Sequence, residues 1–246
     1  MNAGTLLRHG RRRLAFLALI GLAVLRPDHA GAAGNLSVSP TRVELAEAGT
    51  GTVAVRNNGD GPSVLQITAM RWLDSPLPDA LEPAPELIAV PPVFVLQPGK
   101  QQVVRLALRD RSRASTERTY RLLLSEVPAA GSGGEPGGVR FSLGFNIPVF
   151  QKAPGALAEP IWSISAGPGG PVLAVRNAGQ AHVQMSAIRI RDGAGRALTD
   201  LKEAFYLLPG RSRSWHLPAA ASGQILTVVV DTNLGTLEER LAAPRD

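Results

Sequence analysis

An all-β fold built as two sandwiches is what this 246-residue sequence predicts, on three observations. From Val139 to Val149 an apolar side chain stands at every second residue: Val139, Phe141, Leu143, Phe145, Ile147 and Val149. Period two over that length marks a strand with one apolar face. Elsewhere, short apolar runs are separated by turn residues at intervals of about eight to twelve positions, the spacing of sandwich strands. Finally, two segments recur in order. Ala54-Val55-Arg56-Asn57-Asn58-Gly59 returns as Ala174-Val175-Arg176-Asn177-Ala178-Gly179, and Phe94–Lys100 with Leu106 returns as Phe205–Arg211 with Leu217. Each repeat ends in turn chemistry, Asn-x-Gly supplying a positive φ and Pro-Gly a type II corner. Two related β domains follow.

The elements are expected in this order. Residues 1–33 read as a secretory signal. Arg8, His9 and Arg11–Arg13 form a basic start, Leu14–Leu25 a run of twelve apolar residues, and Ala30-Gly31-Ala32 a small-residue cleavage site. That run is too short to span a bilayer, so cleavage without membrane insertion is expected. In the first domain, 34–150, strands are predicted at 35–46, 51–57, 63–72, 88–96, 100–109, 118–127 and 139–150. Leu73–Pro85, with its four prolines, is a surface connection. Pro91-Pro92 and Pro98-Gly99 are structural turns, a cis bond being one way to build them. Residues 151–160 form a Pro-punctuated linker. In the second domain, 161–246, strands are predicted at 161–166, 171–177, 182–192, 203–208, 212–217 and 224–232. No segment of the mature chain holds a helical period for more than two turns. The fold class is all-β, with two immunoglobulin-like β-sandwich domains.

Composition excludes several function classes. Five of the 26 basic residues and one of the 20 acidic ones lie in the leader, which leaves 21 against 19 and a net charge near +2. So small an excess offers nucleic acid no electrostatic footprint. There is no cysteine, which removes disulfides, thiol catalysis and thiolate metal sites. The mature histidines, His182 and His216, stand in no metal-ligand spacing and read as structural or surface residues. Glu238-Glu239 read as solvated, and the Gly-rich 129–138 opens a strand rather than a helix, so it is no phosphate cradle. Neither a nucleophile elbow nor a dinucleotide fingerprint is present, and no cofactor or metal is implied. A non-enzymatic protein is expected.

The remaining motifs resemble one family. Val90-Pro91-Pro92-Val93, Leu96, Pro98-Gly99 and Val104-Arg105-Leu106 resemble the central signature of PapD-like periplasmic pilus chaperones. Ser39-Pro40-Thr41-Arg42 resembles their first-strand motif, Asn57 their strand-end asparagine, and Tyr120–Pro128 their strand ending in Glu-hydrophobic-Pro. The alternating strand through Ile147 resembles the donor strand. The short Gly-rich connection before it resembles the short-loop branch, and the Ile-Pro-Val-Phe ending resembles archaic-type members. The match covers nearly all of the first domain and is looser in the second.

This resemblance implies a periplasmic chaperone that binds pilus or fimbrial subunits by donor-strand complementation, a form of β-augmentation, and delivers them to an outer-membrane usher. Val139, Phe141, Leu143, Phe145 and Ile147 would be the lent side chains. Arg42 would lie in the cleft between domains and bind the subunit's C-terminal carboxylate, a task that suits a guanidinium fork. The family's second cleft cation, a lysine, would follow Ile147, where this sequence has Pro148; Lys152 or another arginine could replace it, or Arg42 could act alone. Glu117 and Lys152 match the family positions of an interdomain salt bridge, whose third member would be an acid late in the second domain, with Asp231 as the candidate. Two rival readings remain. One is a secreted two-domain immunoglobulin-like adhesion or surface protein, in which the 139–149 face is core. The other is a hydrolase using His182 or His216.

Overall fold

The computed structural model describes residues 36–73, 80–110, 114–127 and 144–245. The expected leader and the 139–143 part of the alternating strand lie outside the described residues. Eighteen strands and one 3₁₀ turn, Ala219–Ala221, make up the regular structure among them. Four sheets form, two from the first half of the chain and two from the second, and no sheet draws strands from both.

In the first half, β1 (Leu36–Ser39), β3 (Thr50–Asn57), β8 (Gln101–Leu108) and β6 (Leu87–Val90) make one sheet, in the order β1-β3-β8-β6. The facing sheet runs β2 (Val43–Glu44), β10 (Gly144–Gln151), β9 (Arg118–Val127), β4 (Ser63–Trp72) and β5 (Leu81–Pro83), with β7 (Val93–Leu96) also paired to β4. Alternate residues of each layer meet in a core that includes Val53, Val55, Leu65, Val104, Leu106, Leu122 and Leu124, none more than 1% exposed. Period-two alternation sends one face inward and the other out, so the sequence pattern becomes the sandwich directly.

Two predicted strands prove to be two elements each. Residues 35–46 divide at the cis Ser39-Pro40 bond, and β1 and β2 join opposite sheets; residues 88–96 divide in the same way at the cis Val90-Pro91 bond into β6 and β7. Alternation cannot reveal this, because the apolar pattern continues while the chain crosses from one layer to the other. The Leu73–Pro85 connection carries a short strand, β5, on the edge of β4.

The second half packs β11 (Pro160–Ser165), β12 (Val172–Asn177) and β16 (Ser212–His216) against a larger sheet. That sheet is ordered β14 (Ala197–Leu201), β13 (Val183–Arg191), β17 (Ile225–Thr232) and β18 (Gly235–Ala242), with β15 (Phe205–Leu207) paired to β13. The buried residues of β13 change phase from Val183 and Met185 to Ile188 and Ile190. A register shift between Met185 and Ala187 explains it: one extra residue turns the following side chains to the other face. β14 and β18 were not expected from the sequence. β18 pairs with β17 along its whole length, yet its side chains Thr236, Glu238, Glu239 and Arg240 are exposed, so it carries too little apolar pattern to announce a strand.

The recurring segments fold into the same knot. Asn57 is fully buried and donates from Nδ2 to the carbonyls of Gly61 (2.8 Å) and Leu96 (2.9 Å), while its own carbonyl accepts the N–H of Gly99 (2.9 Å). Asn177 repeats this with Ala181 (2.8 Å), Leu207 (3.0 Å) and Gly210 (2.8 Å). Gly99 and Gly210 take φ of 70° and 78°, which the Pro-Gly corner requires. The Asn-x-Gly glycine does not work as predicted. Gly179 has no positive φ; it is needed for space, because a Cβ there would lie 2.3 Å from the Leu157 carbonyl oxygen.

Candidate functional site

The site is built on the outer face of the sheet containing β2, β10 and β9, where the second sandwich packs. Strand register places its residues. Val149 pairs with Val43 on one side and Tyr120 on the other, and all three point into the core. One step along, Pro148 pairs with Arg121 in a row on the opposite face, and Arg42 directly precedes Val43 in the chain. The next such row carries Glu44, Phe150 and Thr119. Both rows face the second half of the chain.

An aromatic seam joins the halves there. Trp72, Phe150 and Leu208 are buried together, with Tyr206 against them. Phe150 stacks on the His182 ring at 3.7 Å between centroids, and Trp72 meets Tyr206 edge-on at 5.9 Å. Each such aromatic pair adds about 0.5–1.5 kcal/mol beyond area burial. Arg121 lies over the Trp72 ring at 3.5 Å, and Arg211 donates to the Leu73 carbonyl across the seam. Beside them a cavity of about 720 Å³ is lined by Trp72, Arg121, Tyr206, Arg211 and Arg213 among others.

Arg42 crosses from the first half to the second. Its Nη1 donates to Gln184 Oε1 (3.2 Å) on β13, and its Nη2 pairs with Glu44 (3.3 Å). The Glu44 side chain is 61% exposed, so that pair is a weak, solvent-screened one.

The interdomain ion set expected at Glu117, Lys152 and Asp231 is not assembled. Glu117 does cross between halves, but its partner is His182. Glu117 Oε2 accepts the His182 backbone N–H (2.7 Å) and lies 2.8 Å from Nδ1 of the ring, with the Glu117 side chain 1% exposed. Lys152 is exposed and ion-paired with no described residue. Asp231 belongs to the second sandwich alone. It accepts bidentately from Arg189 on the neighbouring strand, and that hydrogen bond holds its carboxyl below the usual range. The reason is topological: β17 places Asp231 opposite Ala187, inside its own sheet, with Arg189 two residues along.

Of the five residues expected to be lent, Phe145 and Ile147 are described; Val139, Phe141 and Leu143 lie outside the described residues. Ile147 is 3% exposed and packs in the core of its own sandwich, as does Val149 at 0%. Phe145, two residues earlier on the same face, is only partly buried. Thus Ile147 is a core residue, and Phe145 packs against the same core at its partly exposed margin. Sequence reasoning missed His182 as the partner of Glu117, and Arg121 altogether. Arg121 reads as one polar residue of an ordinary alternating strand, and only its register opposite Pro148 reveals its place.

Among the described residues no helix is long and apolar enough to cross a membrane, and no cluster of three or more metal-ligating side chains occurs. A family model described as the N-terminal domain of PapD, a pili and flagellar-assembly chaperone, matches residues 35–157. No curated protein matches the sequence. Among solved structures, the chaperone–tip subunit pre-assembly complex CsuC-CsuE, from the archaic Csu pili of Acinetobacter baumannii, contains a similar chain. It is 20% identical with a TM-score of 0.63, over 84% of this chain and 97% of that one. A complex of the Salmonella enterica SafA pilin with the SafB chaperone gives 18%, 0.61, 84% and 96%. The Escherichia coli chaperone DraB gives 20%, 0.56, 85% and 96%. These likenesses support two immunoglobulin-like sandwiches as the fold.

Proposed function

We propose, for a chain that belongs to the family of PapD-like pili and flagellar-assembly chaperones, that it acts in the periplasm and captures pilus subunits by lending them a strand. The carrying observation is the fate of one face of β10. Val149 and Ile147 fill the chain's own core, Phe145 packs at its partly exposed margin, and the sequence continues the same face through Leu143, Phe141 and Val139. The lent side chains are therefore Val139, Phe141, Leu143 and Phe145. Four large apolar side chains buried in a subunit amount to roughly 6–12 kcal/mol gross, at about 1.5–3 kcal/mol each. A charge-assisted hydrogen bond from Arg42 to a subunit's C-terminal carboxylate adds about 1.5–3 kcal/mol. The strand sets affinity, and Arg42 fixes register, because a one-residue slip would present the polar face.

The rest of the reading follows from this role. Residues 1–33 direct export and are removed. The 34–150 domain carries the donor strand, 151–160 links it to the 161–246 domain, and the captured subunit passes to an outer-membrane usher. No catalysis or cofactor is required, since strand exchange breaks no covalent bond. The resemblance to solved chaperone–subunit complexes supports pilin-like partners.

Co-expression with secreted pilin-like subunits, followed by purification from the periplasm, tests the reading. A 1:1 complex is expected. A monodisperse chain that captures none of them would overturn it in favour of an adhesion-type protein.

A further inference from the structure

We propose that Pro148 is a backbone stop on the open edge of β10: an extended strand of a captured subunit pairs with Gly144 and Asn146 and can pair no further. The inference rests on the chaperone reading only for the identity of that strand; the stop itself is a property of the free chain.

Backbone geometry orients the edge. Just past β2, the Leu45 N–H donates to the Phe150 carbonyl (2.7 Å), so the backbone polar groups of Phe150 point toward β2 and away from β9. Along a strand these groups alternate between its two edges. Those of Gly144, Asn146 and Pro148 therefore point the same way as those of Phe150. Phe145, Ile147 and Val149 point theirs at β9, where they pair with Leu124, Leu122 and Tyr120. Pro148 agrees with this independently. The β9 ladder runs unbroken past it from Gly144 to Gln151, which a proline allows only where its missing N–H lies on the other edge.

β2 occupies that other edge at Val149 and Phe150 alone. In this parallel register the Pro148 carbonyl faces the Val43 N–H, and the Val43 carbonyl faces the Phe150 N–H. Pro148 thus presents the edge with no donor, and its acceptor is turned to β2. Two residues earlier the situation reverses. Gly144 and Asn146 are exposed, and among the described residues no strand pairs with them on this side. Such edge groups, beside the partly buried Phe145, suit an incoming strand that brings its backbone to the edge and its side chains to the apolar face.

A stop of this kind selects register. Sliding a captured strand toward Pro148 by one residue turns its apolar set outward. Sliding it by two leaves its leading backbone groups opposite a residue with nothing to offer them. The selection acts on the backbone and needs no charge, so it is separate from the role of Arg42.

Amide hydrogen exchange, read residue by residue by NMR, tests this first on the free mature chain. The Asn146 amide should exchange about a hundredfold faster than those of Ile147 and Val43, which are spent on β9 and β2. An Asn146 amide as protected as Ile147, or a Val43 amide as fast as Asn146, would overturn the proposal with no subunit present. In the 1:1 complex with a co-expressed pilin-like subunit, Asn146 should slow to the level of Ile147. Pro148→Ala places a donor on the edge, and the amide introduced at position 148 should gain protection on capture, because the captured strand then pairs one step further. If that amide gains none, something other than the proline ends the ladder and the stop is wrong. The wild-type exchange pattern keeps the test intact should the variant misfold. Failed capture with the expected free-chain pattern supports the stop and counts against the chaperone reading, whereas capture that leaves Asn146 in fast exchange counts against this inference alone.

Discussion

The two sandwiches close around the same buried asparagine knot but finish their sheets in opposite ways. The second half ends in a hairpin, where β18 covers β17 with a strand whose outer side chains are charged or polar. Its edge is complete and guarded, as sheet edges must be in a protein that stays separate. The first half ends in β10, which lies between β9 and the two-residue β2, and whose apolar face is partly exposed at Phe145 and continues in sequence through Leu143, Phe141 and Val139. In the proposed reading, the face that this strand continues through Leu143, Phe141 and Val139 is kept for a second chain. Shared turn chemistry built both frames, and the difference in their last strands separates scaffold from function.

The frames can be broken first. Asn177→Ala should cost about 4 kcal/mol of stability in chemical denaturation, because it strips partners from several buried backbone groups at about 1–3 kcal/mol each. Asn57→Ala should cost about 1 kcal/mol less, since only Asn177 also accepts the N–H of Glu159. Equal losses would mean that the linker contact contributes nothing. Next comes the joint between halves. A double-mutant cycle of Glu117→Ala and His182→Ala should give a coupling of about 1.5 kcal/mol, and an additive result would reduce the pair to simple packing.

Smaller effects sharpen the contrast. Arg42→Ala should leave the melting temperature nearly unchanged while lowering subunit affinity at least tenfold, and unchanged affinity would remove Arg42 from the site. Asp231 gives the least. Its carboxyl is held low by Arg189, so its contribution is present above the ordinary carboxylate range and is lost as pH falls through the lowered value. Asp231→Asn should therefore flatten the acid side of the stability curve slightly, without altering capture.

Much of this was legible in the residues, and the failures share a cause. Alternation located most strands of both sandwiches, and the Pro-Gly corners carried their positive φ as turn chemistry demands. Alternation describes one strand at a time, however. It could not show that β1 and β2, or β6 and β7, belong to opposite sheets, nor that the phase slips at Met185–Ala187. The same limit governed the site. Ile147 and Phe145 look equivalent in a period-two pattern, and only packing separates the fully buried residue from the one at the core's margin. Arg121 and His182 acquire meaning solely from what the fold brings opposite them.

One side-by-side measurement tests the central claim most directly: thermal melting and subunit capture of Phe141→Arg and Ile147→Arg. Ile147→Arg should unfold the chain or cost about 3–5 kcal/mol, because it forces an unpaired charge into a packed core. Phe141→Arg should melt as the wild type does and capture no subunit. If Phe141→Arg instead unfolds the chain as severely as Ile147→Arg, the whole face is ordinary core, and the first sandwich keeps nothing for a partner.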